Sequence, residues 1–152
     1  MATIKRKPIL VAVDGSESAT RALATAIELA QSLETEVVAA YVIPTPGAFE
    51  YGDAMTLPVE LDLSWRTGMK EAFEEEWCKP LRDSGLKYRL IVEDGRPASV
   101  IAGLAESVDA QMVVVGRRGR GGIAELLLGS VSHELALQSK RPLLLVSNPK
   151  AV

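Results

Sequence analysis

Short apolar runs alternate with amphipathic stretches along this chain, and that alternation leaves few folds open. Ile9–Val13, Val37–Ile43, Tyr88–Val92, Met112–Val115 and Leu143–Val146 each read as a strand, with helix-period segments in the intervals. Strand, helix and strand in succession is the pattern of βαβ units, whose strands run parallel. Four of the runs are rich in Val, Ile and Leu without polar alternation, as strands covered on both faces should be. The predicted architecture is α/β, a three-layer α/β/α arrangement around a five-stranded, mostly parallel open sheet. Tyr88-Arg89-Leu90-Ile91-Val92 is more mixed and is assigned nearer an edge.

The helices follow from capping residues and spacing. The first starts with Ser16 or Ser18 as N-cap and carries Leu23, Ala26, Ile27, Ala30 and Leu33 on one stripe. A second runs from Ser64 to Leu81, where Pro80 should distort or end it. Its acidic residues Glu71, Glu74, Glu75 and Glu76 read as a solvated face rather than a metal site. A third begins at Pro97, a favoured first-turn residue, and buries Ile101, Leu104, Ala105 and Val108. The fourth follows Ser130 and ends near Lys140.

At 152 residues and 47% apolar content the chain can bury a sizeable core, and one domain spanning 1–152 is expected. A net charge of −3 gives no overall attraction to nucleic acid or to anionic membranes, so neither is an expected partner. The basic N-terminus, Met1 to Pro8, precedes an apolar run that stops at Asp14, too short for a signal peptide. No stretch approaches the roughly 18–20 apolar residues that span a bilayer. These features predict a cytoplasmic protein. The single Cys78 cannot form an internal disulfide and reads as a free thiol on a helix.

The fourth strand runs into Gly116-Arg117-Arg118-Gly119-Arg120-Gly121-Gly122, and after Ile123–Leu128 the chain reads Gly129-Ser130-Val131-Ser132. Glycines let backbone N–H groups approach an anion without a Cβ in the way. A helix beginning at Ser130 adds its unpaired first-turn N–H groups and the positive end of its dipole. The segment has the chemistry of a nucleotide-phosphate site. Arg118 and Arg120, with Arg117, interleave with the glycines and either contact phosphate or stay solvated. Asp14 follows the first strand and reads in two ways: a carboxylate for ribose hydroxyls or a metal, or an Asx turn ahead of Ser16. The long connection at 44–58 leaves the carboxyl end of a strand, the side where such sheets bind ligands.

A glycine, two residues, Gly119, nine residues and then Gly129-Ser130 closely resembles the ATP-binding motif of the universal stress protein family. Ile9-Leu10-Val11-Ala12-Val13-Asp14-Gly15-Ser16, Gly95-Arg96-Pro97-Ala98 and Arg141-Pro142-Leu143-Leu144-Leu145-Val146 stand in the same order as that family's landmarks. The resemblance covers nearly the whole chain. It implies a Rossmann-like, adenine nucleotide alpha-hydrolase-like fold and ATP as ligand, with or without Mg²⁺. It places Asp14 at the nucleoside, the Val42 backbone facing adenine, Val115-Gly116 near the ribose, and Gly119, Gly129, Ser130 and Val131 around the phosphates. It further implies a homodimer through the last strand, 143–146.

Two functions are in competition on these grounds. One is a nucleotide-dependent stress-response regulator or dimeric switch. The other is a dimeric interaction module in which nucleotide binding is incidental or absent. An enzyme of the hydrolase kind is disfavoured, because spacing fixes no general base: His133 is a lone histidine on a helix, without a set carboxylate or nucleophile. Any hydrolysis should be slow.

Overall fold

The computed structural model describes residues 4–45, 63–117 and 128–147. Five strands form one sheet: β1 (Ile9–Ala12), β2 (Val37–Pro44), β3 (Tyr88–Gly95), β4 (Met112–Gly116) and β5 (Leu143–Val146). Their order is β3-β2-β1-β4-β5 and every pairing is parallel. The mixed strand β3 lies at one edge, as its composition predicts.

Alternation along each strand divides the core between two faces. Ile9, Val11, Val37, Ala39 and Val114 point to the face covered by α1 (Glu17–Leu33). Leu10, Val38, Ala40, Val113 and Val115 point to the face covered by α4 (Pro97–Ser107) and α5 (Ser130–Gln138). The central strands are buried along most of their length because both of their faces are covered.

Ser16 is the N-cap of α1, its hydroxyl accepting a hydrogen bond from the Ala19 amide at 3.1 Å. Leu23, Ala26, Ile27 and Ala30 pack into the core as the stripe requires, whereas Leu33 remains 37% exposed. Leu33 is the last residue of α1, its carbonyl accepts from Arg6, and it lines a shallow cleft with Arg6, Lys7 and Gln111. In α4, Ile101 and Ala105 are buried, while Leu104 and Val108 are only partly so.

The second predicted helix is corrected most. It divides into α2 (Leu63–Glu71), a π-helical turn at Ala72–Trp77, and α3 (Lys79–Asp83). The wider turn brings Phe73 and Trp77 onto Tyr41 of β2, with ring centroids 5.8 Å and 5.2 Å away. The helix is interrupted at Cys78, two residues ahead of Pro80, and resumes through the proline. Pro80 sits in the first turn of α3, where its missing N–H leaves no bond unmade. Of the acidic residues, Glu75 meets Arg82 at 3.3 Å and Glu74 lies 3.9 Å from Lys70. Among the described residues no helix is long and apolar enough to cross a membrane.

Candidate functional site

In an open α/β sheet the ligand crevice opens where the strand order reverses, beyond the carboxyl ends of the strands. That point here lies between β1 and β4, since β1 leads through α1 to β2 on one side while β4 pairs with it on the other. Asp14 leaves β1 there and Arg117 leaves β4 there. Three neighbouring pairs, ending at Val11 and Val114, hold the two exits side by side.

The Asp14 turn is set locally. Asp14 Oδ1 accepts a hydrogen bond from the Ser16 amide at 2.9 Å, closing an Asx turn, and Gly15 takes φ 82° between them. The turn aims the start of α1 back over the sheet. The capping reading of Asp14 is therefore realised in the structure, and its carboxylate stands at the mouth of the crevice.

Gly116 is required by packing. A Cβ there would lie 2.7 Å from the Ser18 carbonyl carbon and 2.8 Å from Ser18 Cβ, so α1 reaches the end of β4 only because no side chain intervenes. The Gly116 carbonyl accepts the Ser132 hydroxyl at 2.8 Å. One residue later the Arg117 carbonyl accepts the Gly129 amide at 2.8 Å, and the Arg117 amide donates to Val146 of β5 at 2.9 Å. Arg117 and Gly129 thus lie side by side at the end of β4.

Gly129 is the N-cap of α5 and offers no side chain to the first-turn amides. The first turn holds no acidic residue either, so α5 itself sets no carboxylate against the positive end of its dipole. Ser130 is exposed and Val131 half-buried at that end. Such a terminus presents the main-chain donors that an anion site requires. Arg96 at the start of α4 grips Glu134 of α5 through two bonds of 3.2 Å and 3.0 Å, tying the two helices together.

The structure brings Asp14, Val115, Gly116, Gly129, Ser130 and Val131 to one edge of the sheet. Val115 is buried beneath it, and Val42 lies 7% exposed near the carboxyl end of β2, beside Glu93 of β3. Gly119, Arg118, Arg120 and positions 46–58 of the long connection lie outside the described residues. His133 is exposed on α5. Cys78 is a free thiol, as expected, and lies buried at the junction of the π-helical turn and α3, where burial pushes its pKa up to about 12. Among the described residues no group of three acidic, histidine or cysteine side chains could hold a metal ion.

Spacing alone misses Ser18 and Ser132. A serine on a helix has no periodic signature, and only the convergence of two elements on Gly116 gives these their roles. Their one sequence signal is that each stands where its helix's apolar face would otherwise continue.

A family model described as the universal stress protein family matches residues 5–147. Universal stress protein MJ0531 of Methanocaldococcus jannaschii is 30% identical over 151 residues, covering 95% of this chain and 84% of that one. Among solved structures, the hypothetical protein MJ0577 superposes with a TM-score of 0.78 at 26% identity, covering 97% of this chain and 100% of that one. A universal stress protein in complex with cAMP gives a TM-score of 0.69 at 27% identity, over 93% and 97% of the two chains. One from Archaeoglobus fulgidus in complex with dAMP gives 0.59 at 25% identity, over 94% and 99%.

Proposed function

The chain belongs to the universal stress protein family, and from that premise we propose that it is a cytoplasmic, single-domain nucleotide-binding regulator whose ligand is an adenine nucleotide, ATP foremost. The observation that carries this reading is the glycine-capped, acid-free N-terminus of α5 standing at the same sheet edge as Asp14 and Gly116. Relatives in complex with cAMP and dAMP support an adenylate as ligand.

On this reading the Ser130 and Val131 amides, with Gly129 and the sequence-assigned Gly119, hold the phosphates. Arg118 and Arg120 add charge beside them. Val115 and Gly116 border the ribose, Asp14 accepts from its hydroxyls, and the Val42 backbone faces the adenine. A Mg²⁺ bridging the phosphates needs few protein ligands. Binding stabilises the folded state by selecting it, which is what a nucleotide-dependent switch requires. Turnover is slow, because exposed His133 is no positioned base.

Half-exposed Leu144 and Leu145 on edge strand β5 favour a second element of the reading, a homodimer through 143–146. If nucleotide proves absent, that edge carries the alternative function as an interaction module.

The test is mass spectrometry of small molecules released on denaturing the purified protein, joined to calorimetric titration of the stripped protein with ATP and Mg²⁺. Gly129→Val is the control. Gly129 has φ −67° and ψ 159°, a conformation valine adopts readily, so the variant should fold while its side chain covers the α5 amides. Bound adenine nucleotide, or micromolar affinity lost in Gly129→Val, is the expected result. Wild-type affinity in that variant counts against the assigned phosphate site.

A further inference from the structure

The buried polar side chains among the described residues are Ser18, Thr35 and Ser132. A buried hydroxyl costs free energy unless it is hydrogen-bonded, so each calls for a reason. Thr35 bonds the Lys7 carbonyl at 2.8 Å, just before β1 begins. Ser18 and Ser132 both meet Gly116, at the other end of the sheet.

Ser132 differs from the helical threonines. Thr20, Thr25 and Thr67 each donate to the carbonyl one turn earlier in the same helix or at its cap. Ser132 instead donates across to the Gly116 carbonyl at 2.8 Å, joining the first turn of α5 to the last residue of β4. Next to it, the Gly129 amide donates to the Arg117 carbonyl, also at 2.8 Å. Arg96 and the packing of Leu135 hold the middle of α5, whereas its first turn meets the end of β4 through these two bonds. The Ser132 bond, from a residue almost one turn further along, fixes the direction in which the first-turn amides point.

We propose that Ser132 is a positioning residue for the nucleotide site: its bond to Gly116 aims the N-terminus of α5 before any ligand arrives. The proposal rests on the nucleotide-binding reading, and it is specific to a side chain whose neighbour Ser130, not Ser132, stands exposed at the helix mouth. Preorganised donors bind more tightly because the ordering cost is met before binding. Losing one such bond should weaken affinity about tenfold, the scale of a single well-made hydrogen bond.

The experiment compares Ser132→Ala with Thr35→Val, which removes another buried, hydrogen-bonded hydroxyl at the far end of the sheet. Both should lower Tm to a similar extent. Titration with ATP and Mg²⁺ should show about tenfold weaker binding in Ser132→Ala and affinity within about twofold of wild type in Thr35→Val. Amide hydrogen exchange of the unliganded protein should accelerate at Val131–His133 in Ser132→Ala only. Wild-type affinity in Ser132→Ala, or equal losses in both variants, overturns the proposal. If the wild type binds no adenine nucleotide, the functional reading fails, and the exchange data still decide the clasp: unchanged protection of α5 in Ser132→Ala refutes it.

Discussion

Replacing Gly116 with alanine adds one methyl group at the point where α1, β4 and α5 converge. Gly116 does not have a positive φ, so the backbone carries no penalty and the effect is steric alone. The new Cβ would meet Ser18 Oγ, the Ser18 carbonyl carbon at 2.7 Å and Ser18 Cβ at 2.8 Å. The hydroxyl can rotate away, but the carbonyl carbon moves only if the first turn of α1 moves with it. Overpacking of this kind costs about 2–3 kcal/mol. At roughly 2–4 °C per kcal/mol for a chain of this size, Tm falls by about 4–12 °C. Thermal and urea denaturation followed by circular dichroism would read it. Ser18→Ala in the same background removes the Oγ contact but leaves the other two, so rescue should be partial. A Tm within about 1 °C of wild type would refute the close approach. Full rescue by Ser18→Ala would refute the part assigned to the main chain.

Other outcomes follow from the same structure. Cys78, buried and with its pKa pushed up to about 12, should react with a disulfide reagent at neutral pH only as fast as the protein unfolds; rapid stoichiometric labelling of the native state contradicts this. Arg141 bonds Glu106 and Asp109 and holds both carboxyls below their ordinary range, with Lys7 adding to the effect at Asp109. Their folded values lie below the unfolded ones, so this stabilisation is present above a pH of about 4 and lost as pH falls through the folded values. Arg141→Met should lower stability at neutral pH and flatten the acid limb of a stability–pH curve; an unchanged limb contradicts the linkage. Leu145→Glu should convert the proposed dimer to monomer in sedimentation equilibrium without changing far-ultraviolet circular dichroism, and an unchanged mass would remove β5 as the contact.

Periodicity and end signals were enough to locate all five strands, because the apolar runs of the central three are buried and the two edge strands keep short apolar runs between turn signals. β5 coincides with its predicted run, and β3 sits at the edge its mixed composition assigns. Ser16 and Pro97 were readable as helix starts because capping is chemistry within one turn. The glycine spacing with Gly129-Ser130 points to the proposed phosphate site for the same reason, since a residue that opens a helix carries its signature locally.

What tertiary structure alone decided is where distant segments meet. The order β3-β2-β1-β4-β5 put Asp14 and Gly116 on neighbouring strand exits, which no local pattern specifies. The π-helical turn at Ala72–Trp77 arose to seat Phe73 and Trp77 against Tyr41, overriding the helix that spacing predicts. Cys78 was buried by the same repacking. Gly116 reads in the sequence as a glycine for phosphate, yet in the fold its missing Cβ is what admits Ser18 and its carbonyl is what holds Ser132. Hydrogen bonding and excluded volume act over a few ångströms of space, and the chain brings those residues within that range only after the sheet has formed.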